Sequence, residues 1–359
     1  METCFNEIKQ EILRRAKEAS ACKHEYGRAY TAENLSELSQ VIKDNFNWVC
    51  SHDVLTVDLV EKYKEDFAAH DIYANQNVKS GYLLCGNATV EARGNATVAA
   101  CGNTMVESFD STTVKAYDDA TVEAYRYTTV TAYGNATVRA YGSSTVTAYD
   151  NAKVKAYDDA TVEARNNATV EAAYNNATVA AYDNTSVRAY GNTMVESFDS
   201  ATVKAYDNTS IAACGHATVE AHSNATVEAR GNATVEAHSN ATVEACDNTT
   251  VAACSNTMVE AYNNATVKAR NNAMVLAYGN ATVKACDNAT VRAYGNTTVE
   301  VCDNATVLAC GNATVRACDG AYCTSLYTID CKLFDHAIYR VQDTNTVYYA
   351  DSDVKFVKQ

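Results

Sequence analysis

Small, mostly apolar side chains alternate with polar ones from Gly86 to Cys318, a span of 233 residues that divides into 29 octapeptides and one extra residue. A typical unit reads Gly134-Asn135-Ala136-Thr137-Val138-Arg139-Ala140-Tyr141, and the phrase slips once, at Ala172-Ala173. Numbering the unit one to eight from Gly134, position five is Val throughout except Ile211. Position seven is Ala except at Ser108, Ser197 and Val301, and position three is always Ala, Thr or Ser. Three small residues at alternate positions have the period of a half-buried strand, with their side chains on one face.

Position six is often Glu, Lys or Arg, and position four, usually Thr, admits Lys153. Both are expected to face water. Positions one and two are Gly, Asp, Asn or Ser followed mostly by Asn. Such residues accept a left-handed backbone and bend the chain tightly, so each octad predicts one short strand and one corner. A helix is excluded, because at 100° per residue positions three, five and seven scatter around its axis.

Like units stack on like, so the fold class predicted is mainly β: a parallel β-solenoid with about two octads per coil. That gives about 14 coils and a rod of roughly 70 Å at about 4.8 Å per layer. A triangular coil of three octads needs larger residues to fill its bore than Ala and Val supply. One Val and two Ala bury only a few kcal/mol per octad at about 0.8 kcal/mol per CH₂. Ordering eight backbones costs roughly 1 to 2 kcal/mol each, so stability must come from stacking and the ends need protection.

The two ends read differently from the repeat. Residues 1–70 predict a three-helix cap domain. Ile8, Ile12, Leu13 and Ala16 share one face of a first helix, Leu35, Leu38, Val41 and Ile42 mark a second over Thr31–Asn45, and Val57, Val60, Tyr63 and Phe67 mark a third over Thr56–Ala69. Trp48 and Val49 are expected to plug the junction. Residues 71–85 form a transition coil with larger side chains, before the solenoid of residues 86–318. Residues 319–359 predict a β-rich cap in which the octad dissolves, with strands over Tyr322–Asp330, Ala337–Gln342, Thr346–Tyr349 and Val354–Val357. Phe334, Ile338, Tyr348 and Phe356 are expected to close that end.

The formal charge of −15 is spread over all three regions, which argues against nucleic acid as a partner. No apolar stretch approaches membrane-spanning length, so no membrane is expected as a partner either. Met1 to Lys17 is charged throughout and predicts no signal peptide. With 14 Cys and no disulfide framework, a reducing, cytoplasmic setting is expected.

Cys101, Cys214, Cys246, Cys254, Cys286, Cys302, Cys310 and Cys318 occupy position eight, and Cys85 is expected to belong with them. Tyr, Phe, His and Arg share that slot, the mixture of a drifting exposed site. Two octads per coil stack Cys286, Cys302 and Cys318 in one column, which could take a soft metal or cross-link on oxidation. No CxxC pair or His-Cys cluster accompanies them, so no metal ligand set is assigned. His222 and His238 stack in the same slot, and Glu220, Glu228, Glu236 and Glu244 predict short solvated acidic rows on alternate faces. No Ser-His-Asp order, phosphate loop or carboxylate pair is present, so no catalytic residue, cofactor or enzymatic activity is expected. The Thr column shares its face with charged and Tyr residues, whereas an ice-binding plane is flat and uncharged. The Asn-Ala-Thr triplets match the glycosylation signal but are only the wording of the repeat. Residues 102–119 return almost unchanged as 191–208, displaced by eleven octads and the inserted Ala, which places the copy on the opposite sheet of a two-octad coil. Units interchangeable between faces suit a scaffold better than an active site.

The octads, with Asp44-Asn45-Phe46-Asn47-Trp48-Val49-Cys50 and Ala337-Ile338-Tyr339-Arg340-Val341-Gln342-Asp343, resemble a group of octapeptide-repeat proteins of gut bacteria and their phages. The resemblance implies a bacterial setting and carries no activity with it. In architecture the chain is also similar to bactofilins, polymer-forming β-solenoids of the bacterial cytoplasm, although their cores are larger and they end in short tails where this chain has helices. The function expected is a structural or protein-interaction rod, pairing with itself or with another protein. The alternative is a surface-binding protein, such as a phage fibre part, adhesin or ice binder, using one Thr or Tyr face.

Overall fold

From Gly94 to Gly311 each octad corner in the computed structural model turns on a left-handed residue at position one, as at Asp118 (φ 56°), Gly134 (φ 65°) and Asp150 (φ 58°); in the first octad it is Asn87 at position two. Gly, Asp, Asn and Ser tolerate this conformation, which explains their monopoly of the slot. Arg126 (φ 63°) is the exception, and its side chain makes an exposed ion pair with Asp110 at 3.1 Å. The chain is a parallel β-solenoid of about 16 turns with six N-terminal helices. The structure describes residues 2–350, apart from the side chains of Glu2 and Thr3. Contacts divide it into two compact units, 1–171 and 172–359.

In the first unit, six helices precede the strands: α1 Glu2–Glu18, α2 Lys23–Thr31, α3 Leu35–Asp44, α4 Phe46–Ser51, α5 Val57–Lys62 and α6 Lys64–Ala68. Three were expected. Helix α2 is not legible in the residues, because Gly27, His24 and two Tyr weaken its helical pattern and it fully buries only Ala29. The expected third helix breaks at Tyr63 into α5 and α6. Asn34 caps α3, accepting from the Glu37 amide at 3.0 Å, whereas Thr31, where the second helix was expected to begin, ends α2. Trp48 and Val49 lie within α4, with Val49 buried.

Strands β1 Ile72–Ala74, β2 Tyr82–Gly86, β3 Thr89–Ala92 and β4 Thr97–Cys101 begin the solenoid. From there one ladder runs β1, β2, β4, Thr113–Ala116, Thr129–Ala132, and the other starts at β3 and continues through Met105–Ser108, Thr121–Ala124 and Thr137–Ala140. Register is sixteen residues, as in Thr145↔Thr161 and Val138↔Val154, which fixes two octads per coil. The second unit repeats the arrangement, with Val219↔Val235 in one ladder and Val227↔Val243 in the other. The Val and Ala of positions five and seven are buried, Val138 and Ala140 to 0 % exposure. The half-buried strand read from the sequence is what forms.

The first coil departs from the rule. Tyr82 pairs with Thr97, fifteen residues on, so Cys85 stands opposite Ala100 at position seven. Cys85 therefore points into the core and is buried, a correction to its expected place at position eight, and burial pushes its thiol well up. The helices cover positions that the repeat alone leaves in water: Leu84 and Ala99, both at position six, join Leu38, Ile42, Phe46 and Phe67 in one apolar cluster.

At the other end the solenoid outlasts its sequence signature. Thr306↔Tyr322, Thr314↔Asp330 and Tyr322↔Ile338 keep the sixteen-residue register, and Asp319 and Asp335 keep the left-handed corner. These extra coils at both ends account for about 16 turns in place of about 14. Strand Thr346–Tyr349 then folds back antiparallel on Ile338–Val341. Tyr339, buried and bonded through its hydroxyl to Ser325 Oγ at 2.7 Å, fills the last interior. Phe334 and Tyr348, expected to close this end, are exposed instead. The expected strand Val354–Val357 and Phe356 lie outside the described residues.

Candidate functional surface

Parallel stacking without offset carries each outward side chain directly over its counterpart sixteen residues away, so the surface is a set of columns. At position eight of the first unit, Phe109, Tyr125, Tyr141 and Tyr157 stack with ring centroids 4.9 to 5.0 Å apart and planes within 9° of parallel. The Arg93 guanidinium caps this column 4.4 Å from the Phe109 ring. Tyr117, Tyr133 and Tyr149 form a second column at 5.4 and 5.1 Å. In the second unit, Tyr174, Tyr190, Tyr206, His222 and His238 form one continuous stack. The sequence placed His222 over His238, and the structure brings them together at 4.9 Å.

Burial pushes the Tyr117 hydroxyl up to about 12, and the hydrogen bonds of Tyr125 to Glu123 and of Tyr262 to Glu260 raise theirs to about 12 as well. A phenolate beside a carboxylate or another ring hydroxyl is disfavoured, so these three hydroxyls resist ionisation.

Charges of position six pair across layers: Arg139 with Glu123 at 2.8 Å, Lys204 with Glu220 at 2.6 Å and Lys284 with Glu300 at 3.4 Å. The acidic rows expected are also present, Glu220 beside Glu236 and Glu228 beside Glu244. Bonds from Lys204 and His222 hold the Glu220 carboxyl below its ordinary range.

The corners carry a function that the sequence concealed. Asp at position one does more than tolerate the turn: its Oδ2 accepts the position-one amide of the preceding layer, as from Gly191 to Asp207 at 3.1 Å and from Asp287 to Asp303 at 3.1 Å. Asn side chains of position two link layers in the opposite sense, Asn264 Nδ2 donating to Asn248 Oδ1 and Asn312 Nδ2 to Asn296 Oδ1. Buried Thr at position three donates to the carbonyl three residues back, Thr193 to Tyr190 at 2.6 Å and Thr257 to Cys254 at 2.6 Å. This is how a hydroxyl replaces Ala without leaving a buried donor unpaired.

Cys286, Cys302 and Cys318 share one column, as the two-octad register requires, and Cys286 Sγ lies 2.9 Å from Cys302 Sγ. All three are half-buried free thiols. Carboxylate oxygens of Asp303 and Asp319 join them in two groups, Cys286-Cys302-Asp303 and Cys302-Cys318-Asp319, with ligand atoms within 4.8 Å of one another. Burial raises the Cys302 and Cys318 thiols. The acidic partners went unnoticed in the sequence because the corner rule already accounted for them. No helix among the described residues is long and apolar enough to cross a membrane. Comparison with known protein families, curated proteins and solved structures returns no match.

Proposed function

We propose that this chain is a non-enzymatic structural scaffold that presents its side-chain columns to another copy of itself or to a second protein, in a bacterial cytoplasm. The observation that supports the reading is the sixteen-residue register, which makes the outer surface a ladder of repeated small features rather than one concave pocket. Small-molecule and catalytic sites are concave and gather different polar groups on one point. Regular columns of Tyr bury large area at low entropic cost when a second surface lies against them. Fourteen cysteines, most spaced by the repeat and not as a disulfide framework, accord with a reducing compartment.

The test is sedimentation and negative-stain imaging of the full chain over a concentration series at low and high salt. Assemblies that grow with concentration, and more readily at high salt because a charge of −15 repels its copies, are expected. A strict monomer in every condition that binds glycan or ice would overturn the scaffold reading in favour of surface binding. The stacked Tyr-His face of the second unit is the feature that such a surface-binding role would use.

A further inference from the structure

The thiol column of the second unit is a cluster of soft ligands with carboxylates built into the adjoining corners. Equivalent atoms of neighbouring layers stand about 4.8 Å apart, which is wider than the Cβ separation of about 3.8 Å that a disulfide prefers. A tetrahedral Zn(II) with bonds of about 2.3 Å to sulfur sets two thiolates about 3.8 Å apart, between the layer spacing and the thiol contact seen here. A modest rotation about the Cα–Cβ bonds of Cys286 and Cys302 covers that difference. The carboxylate of Asp303 lies within reach of both sulfurs, and that of Asp319 within reach of Cys302 and Cys318.

We propose that Cys302 is the shared ligand of a site for a thiophilic divalent cation of the Zn(II) class, completed by Cys286 and Asp303 on one side or by Cys318 and Asp319 on the other. Two thiols give up their protons to solvent as the cation binds, and the carboxylate supplies the third ligand. The half-buried position leaves a fourth ligand to water. Lys284 does not oppose the cation, since its ammonium is paired with Glu300. Because both groups need Cys302, the column holds one ion, and either end cysteine is dispensable while the middle one is not.

The experiment uses the full chain, fully reduced and free of oxygen. Cys323 and Cys331, whose thiols interact with each other inside the last coils, are first replaced by the Val that position five normally carries, Cys323→Val and Cys331→Val. Titration with Cd(II) is followed by thiolate-to-metal charge-transfer absorption, and Zn(II) stoichiometry by competition with a chromophoric chelator. One equivalent is expected in this background, retained in Cys286→Ser and in Cys318→Ser, and lost in Cys302→Ser and in the double end variant. Cys302→Tyr, which restores the residue of Tyr190 and Tyr206 in the same column, must also lose it while keeping the strand-type circular dichroism. Unchanged binding in both Cys302 variants, or no charge-transfer band in the background protein, overturns the site.

Discussion

Position three shows how much a single hydroxyl decides. Thr193 is buried and donates to Tyr190 and, at 3.2 Å, to Ala173, whereas the Thr297 hydroxyl is buried with no hydrogen-bond partner. Most units carry Ala here, so truncation leaves a cavity that the fold already knows how to close. Thr297→Ala is expected to raise stability by about 1 kcal/mol, because an unsatisfied buried donor is removed, and Thr193→Ala to lower it by about 1 kcal/mol. Urea midpoints of the two variants against the parent check the opposite signs. Position one poses the complementary problem: Arg126 adopts a left-handed backbone that costs roughly 1 to 2 kcal/mol for a residue bearing Cβ. Its exposed pair with Asp110 offsets little of that.

At the scale of the element, the unit of stabilisation is the column. Tyr117, raised by burial, and Tyr125 and Tyr262, raised by bonds to Glu123 and Glu260, have folded-state values above the ordinary one of about 10, so the folded chain keeps protons that the unfolded chain gives up. Their stabilising contribution is complete below about pH 10 and is lost as pH rises through about 12, the value reached by Tyr117, Tyr125 and Tyr262. Ultraviolet titration of tyrosinate together with circular dichroism is expected to show a population ionising late and the strands melting with it. Ionisation of every Tyr near its ordinary value, with the strands intact, would contradict the stacked geometry. The same logic places the thiols: three Cys in consecutive layers of one column form a cluster, whereas Cys246 and Cys310 in the other ladder have no thiol in the adjoining layers.

For the whole molecule, stability is a sum over coils and their interfaces rather than the property of one core. Removing residues 231–246 deletes one coil of the second unit and joins Arg230 to Asp247 in the same phase. The shortened chain is expected to keep its strand-type spectrum and to unfold cooperatively at a lower urea midpoint. Loss of fold would mean that the coils are not interchangeable. Helices α1–α6 contribute differently, since Leu84 and Ala99 are dry only because Leu38, Phe46 and their neighbours cover them.

Much of this was legible in the residues. Alternation of Ala, Val and Ala with a turn-former every eighth residue determined the strands, the corners and the parallel stacking, because burial with period two is a local property of the chain. The narrow interior determined two octads per coil, since Ala and Val fill no wider bore. Three things waited for the tertiary structure. The fifteen-residue register that turns Cys85 inward is fixed by pairing of β2 with β4, and the coils beyond Cys318 persist because register outlives the consensus. The thiol column itself followed from the repeat, but its carboxylates did not: Asp303 is next to Cys302 along the chain, yet only the stacked register brings its oxygen within reach of Cys286, one layer away.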